Sequence, residues 1–83
     1  MPTVALLDGV KIKFYHDDHA PPHFHASYGE FEAQIEIATL DVIAGSLPRT
    51  QLRLVKEWAR SRIPALSAAW SACMSDRSTG RIE

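Results

Sequence analysis

The stretch His23-Phe24-His25-Ala26-Ser27-Tyr28-Gly29-Glu30-Phe31-Glu32-Ala33-Gln34-Ile35-Glu36-Ile37 decides how this chain folds. Its side chains alternate with period two on both sides of Gly29-Glu30, a dipeptide suited to a tight hairpin turn. Pairing Tyr28 with Phe31 across that turn sets Ala26 opposite Ala33, Phe24 opposite Ile35 and His23 opposite Glu36. One face of the hairpin is then wholly apolar. The other carries His23, His25 and Ser27 against Glu32, Gln34 and Glu36.

The same period extends toward the N-terminus. Val4 to Leu7 reads as a strand, Asp8-Gly9 as a two-residue hairpin turn, and Val10-Lys11-Ile12-Lys13-Phe14-Tyr15 as the returning strand, with Val10, Ile12 and Phe14 inward. Lys11 and Lys13 then share the polar face with the histidines. Pro21-Pro22 excludes regular helix and ladder pairing, so Asp17 to Pro22 is a semi-rigid loop. Asp41 to Ala44 adds a further short strand before Gly45. Beyond it the period changes. Ser46 suits a helix N-cap and Pro48 the first turn. Helical spacing then runs to about Arg62, with Leu52, Val55, Trp58, Ala59 and Arg62 on one side. A second helix from Pro64 stripes Leu66, Ala69, Trp70 and Cys73. The expected fold is α+β: an N-terminal antiparallel sheet of three to five strands packed against two C-terminal helices. It forms a single domain over 1–75, followed by a flexible tail at 76–83.

Composition narrows the function classes. At 83 residues the core is self-sufficient with a thin stability margin, so a partner or an oligomer can matter. A formal net charge of −1 gives no global attraction to nucleic acid or anionic lipid, which leaves only local patches to bind them. The single Cys73 makes neither an intramolecular disulfide nor a Cys-type zinc pattern, and a reducing cytoplasm fits. No signal peptide is read at the start, nor any later run long enough to span a membrane. Serine and cysteine hydrolases are disfavoured, because Ser27 lacks nucleophile-elbow glycines and Cys73 lies on a buried stripe. No glycine-rich phosphate loop is present.

All four histidines fall between His16 and His25, and imidazole both ligates transition metals and titrates near neutral pH. Several uses stay open. His19, His23 and His25 can hold a divalent transition metal, with the loop supplying Asp17 or Asp18. Alternatively, one histidine can act as general base and another as general acid in a small ribonuclease-like reaction, Lys11 or Lys13 stabilising the phosphate. In the structural use, the imidazoles cap backbone groups of the proline turn or pair with Glu36, and the domain is a non-enzymatic, protein-binding adaptor or regulator. A second feature is the basic edge Arg49, Arg53, Lys56 and Arg60, at spacings of four, three and four. It is either an ordinary solvated helix face or a contact for RNA backbone or an acidic protein.

The run Asp18-His19-Ala20-Pro21-Pro22-His23-Phe24-His25-Ala26, together with Met1-Pro2-Thr3-Val4, Gly9, Ile12, Phe14-Tyr15, Gly45, Leu47-Pro48-Arg49, Trp58 and Trp70, resembles a family of short bacterial proteins catalogued as a domain of unknown function. The resemblance covers most of the chain. Members are similar to the toxin halves of prokaryotic type II toxin–antitoxin modules, encoded beside a second small protein that would be the antitoxin. The resemblance bears on Asp18, His19, His23 and His25; with Lys11, Lys13, Gln34 and Glu36 added by the strand register, the expectation is a toxin whose His19, His23 and His25 face is its active or target-contacting surface. The antitoxin would cover that face or the basic edge. His16 falls where the family often has other residue types. Ile63-Pro64 departs from the family's charged helical segment between the two tryptophans.

Overall fold

A computed structural model describes residues 3–15 and 21–74, with the side chains of Thr3, Val4 and Met74 left aside. Five strands precede two helices: β1 (Thr3–Leu7), β2 (Val10–Lys13), β3 (His23–Tyr28), β4 (Phe31–Glu36), β5 (Val42–Ser46), α1 (Arg49–Arg60) and α2 (Ile63–Met74). The strands form one antiparallel sheet in sequential order, a meander, so the fold is the α+β class expected. The 76–83 tail lies outside the described residues, as does 16–20 within the expected loop.

The central hairpin adopts the register read from its turn: His23 opposite Glu36, Phe24 opposite Ile35, His25 opposite Gln34, Ala26 opposite Ala33 and Tyr28 opposite Phe31. Gly29 has φ +57°, as its turn requires of the first central residue. At Asp8 and Gly9 both φ values are positive, the type I′ signature of a two-residue hairpin. β2 places Lys13 beside His25 and Lys11 beside Ser27, so the lysines do share the histidine side of the sheet.

Val10, Ile12, Phe14, Phe24, Ala26, Ala33, Ile35 and Ile37 from the strand region bury into one cluster with Val55, Ala59, Leu66, Ala69 and Cys73 from the helices. Trp58 and Trp70 pack against it as half-buried anchors, as their stripe positions suggest.

Two boundaries differ from expectation. Ser46 is not the α1 N-cap: it ends β5, opposite Glu32. The cap is Pro48, at φ −56° and ψ 148°, whose carbonyl accepts from the Leu52 N–H at 2.9 Å with no side-chain cap bond. The strand outlasts the expected Ala44 because Gly45, at φ +72°, tolerates an approach in which a Cβ would stand 2.1 Å from the Glu32 carbonyl oxygen. At the other end, α1 stops at Arg60 rather than at Arg62, and Arg62 closes the helix from just beyond it, its N–H donating to the Ala59 carbonyl at 2.9 Å. Its Nη1 donates to the Trp58 carbonyl at 2.8 Å and its guanidinium lies 5.3 Å from the Trp58 ring centre.

Candidate functional site

β3 alternation sends His23 and His25 to the same side of the sheet, two residues apart, with ring centroids 5.1 Å from one another. Both are buried, at 3% and 7% exposure, although they stand on the polar side. Aromatic cover explains this. Tyr15 meets His25 edge-on with centroids 4.3 Å apart, and Trp70 of α2 lies 5.2 Å from His23. A continuous row Tyr15, His25, His23, Trp70 thus crosses the start of β3.

The two imidazoles are anchored differently. His23 Nδ1 donates to the Pro21 carbonyl at 2.7 Å, which ties the strand to the proline turn; the neighbouring Pro22 carbonyl accepts from the Ile37 N–H at 3.0 Å. His25 Nδ1 donates to Glu32 Oε2 at 3.0 Å. Glu32 is the register partner of Ser27, so this contact runs diagonally across the strand pair. A carboxylate accepts only, so in the neutral ring the proton sits on Nδ1 and Nε2 is the basic nitrogen. The same reasoning applies to His23 with its carbonyl acceptor.

Around His25, Lys13 is the register neighbour on β2 and Gln34 on β4. Glu36 takes a different part: its Oε1 accepts from Thr39 Oγ1 at 3.3 Å, and its backbone bonds Leu40 and Asp41, which stitches the turn before β5. The structural use of histidine is therefore realised through Pro21 and Glu32 rather than through Glu36. His16, Asp17, Asp18 and His19 lie outside the described residues. Arg49, Arg53 and Arg60 are exposed on α1 and Lys56 is half-buried there, on an element separate from the histidine face.

Sequence reasoning placed Glu32 on the polar face without pairing it with His25, and it did not bring Tyr15 or Trp70 to this site. Tyr15 was recoverable, since Lys11, Lys13 and Tyr15 alternate onto one face and the extended β2–β3 register leads from Lys13–His25 toward His23. Glu32 needed the diagonal, rather than the direct, neighbour of His25. Trp70 comes from a distant helix and left no local signal. Among the described residues no group of three or more His, Cys, Asp or Glu is placed to hold a metal ion. Nor is any described helix long and apolar enough to cross a membrane.

The molecule is thus a small α+β domain with a carboxylate–imidazole pair on a polar sheet face. Residues 9–71 match the family model described as Domain of unknown function (DUF4160), and the chain belongs to that family. No curated protein and no solved structure matches it.

Proposed function

We propose that this chain is the toxin component of a prokaryotic type II toxin–antitoxin module and that it acts on RNA through the sheet face around His25. The observation that carries the reading is the 3.0 Å contact between His25 Nδ1 and Glu32 Oε2 beside Lys13. A carboxylate on Nδ1 orients the ring and stabilises the imidazolium that forms when Nε2 takes a proton. On RNA that proton comes from a ribose 2′-hydroxyl. The 2′ oxygen bonds to the adjacent phosphorus, the bond from phosphorus to the 5′ oxygen breaks, and an acid protonates the departing oxygen. Lys13, with Lys11 two residues away, supplies positive charge to the phosphate.

His23 is a positioning residue in this scheme. Each catalytic group must sit about 2.6–3.2 Å from the oxygen it serves. His23 has its Nδ1 on the Pro21 carbonyl and its Nε2 buried, so it presents no exposed ring nitrogen to a phosphate. His19, named by the sequence reading, takes the part of the acid in this proposal. Because His25 is nearly covered, substrate entry requires movement of the groups above it, Tyr15 among them. The partner is the antitoxin encoded by the adjacent gene. Induced expression of this chain alone arrests bacterial growth and co-expression of the adjacent gene product restores it; unimpaired growth on expression alone refutes the proposal.

A second reading is favoured by the burial of His23 among Pro21, His25 and Trp70. There the histidines staple the proline turn and the domain is a non-enzymatic adaptor. Substituting His25 with the fold retained separates the two, since only the first reading loses function without unfolding.

A further inference from the structure

The basic edge of α1 is not used by the site on the sheet. Arg49, Arg53, Lys56 and Arg60 recur at spacings of four, three and four, which aligns them along one side of the helix over about 16 Å at 1.5 Å per residue. Against these four cations α1 carries one carboxylate, Glu57, four residues after Arg53 and three before Arg60. Among the described residues none of the four cations is held in an ion pair, Glu57 included, and Arg49, Arg53 and Arg60 are exposed. Val55 and Ala59 commit another side of α1 to the core, which leaves this edge facing outward.

We infer that the basic edge of α1 docks an acidic segment of a partner protein, with carboxylates spaced one helical turn apart. The inference concerns a different element from His25 and stands independently of the toxin reading. Charge complementarity sets the sign of the occupant, and two observations select polypeptide over nucleic acid. Single-stranded nucleic acid sites join cations to exposed aromatic platforms. Trp58, the aromatic residue of α1, is packed against the core with the Arg62 guanidinium over its ring. Moreover, Glu57 flanks the stripe beside Arg53 and Arg60, where it repels a line of phosphates but accepts a lysine or arginine at the margin of a partner's acids. Steps of about 4.5–6 Å between the cations also match carboxylates at i, i+3 and i, i+4 on a facing helix.

The probe is a fluorescent helical peptide with glutamates at i, i+4 spacing, titrated by anisotropy in parallel with a single-stranded RNA of equal charge. The intact chain binds the peptide, and binding weakens as salt rises. Paired substitution Arg53→Glu with Arg60→Glu weakens peptide binding by about tenfold or more, with the circular dichroism spectrum unchanged because both residues are exposed. Should that variant not fold, Arg53→Gln with Arg60→Gln serves, and also weakens binding. Failure of the intact chain to bind the peptide, or equal binding by the folded variants, overturns the inference. RNA binding that falls in the Arg53/Arg60 variants by as much as peptide binding, or more, overturns it in favour of a nucleic-acid surface on α1, whereas RNA binding unchanged in them belongs to the sheet face.

Discussion

Replacing Gly45 by alanine tests the junction on which Glu32 depends. Gly45 has φ +72°, where a side chain costs roughly 1–2 kcal/mol. Its new Cβ would stand 2.1 Å from the Glu32 carbonyl oxygen, 3.1 Å from the Glu32 carbonyl carbon and 3.2 Å from Ala33 Cα. All three are backbone atoms, so relief requires β4 and β5 to part, an overpacking penalty of about 1–3 kcal/mol. Together these come to roughly 2–5 kcal/mol, a large share of the stability of so small a domain. The melting temperature should fall by about 10 °C or more, at about 4–8 °C per kcal/mol for this size. Gly29→Ala is the control: φ is +57° but nothing lies within 4 Å of the added Cβ, so only the backbone term of about 1–2 kcal/mol applies. Thermal and urea melts followed by circular dichroism measure both. If Gly45→Ala is destabilised no more than Gly29→Ala, the close β4–β5 approach is wrong, and with it the placement of the Glu32 carboxylate.

Further substitutions probe individual contacts. Ser46→Ala should change stability by less than about 0.5 kcal/mol in urea melts, because Ser46 ends a strand; a loss near 1 kcal/mol would reinstate it as the helix cap. Arg62→Met keeps the packed stem but removes the bond to the Trp58 carbonyl and the contact with its ring. About 1–2 kcal/mol should be lost, and an unchanged melt would contradict this closure of α1. His23→Ala should cost about 2–4 kcal/mol, since it leaves the Pro21 carbonyl without this donor and opens space against Trp70; a near-neutral melt would remove His23 as a staple.

How far the fold can be read in the sequence depends on how local its causes are. Gly29-Glu30 and Asp8-Gly9 dictate their turns within four residues, and a fixed turn sets the register of everything hydrogen-bonded to it. The β3–β4 pairing and the shared face of Lys11, Lys13, His23 and His25 therefore follow from the string. The start of α1 does not, because two local signals compete there. Ser46 has good cap chemistry, yet Gly45 lets β5 continue past it, and that choice depends on β4. Arg62 fits the apolar spacing of α1 for a reason spacing cannot reveal, since its guanidinium covers Trp58. The site is legible to the same extent. The alternation places the imidazoles, whereas their burial comes from Trp70, far along the chain, and from Tyr15. The choice of Glu32 over Glu36 as the partner of His25 arises from a diagonal contact, with Glu36 engaged by Thr39 instead.

The central claim is that the Glu32–His25 pair carries the activity, and growth arrest by folded variants measures it most directly. His25→Gln and Glu32→Gln, induced at equal soluble levels and with melts close to that of the parent chain, should each relieve the growth arrest that the proposal expects of the parent chain. Arrest that persists undiminished in both folded variants would contradict the claim.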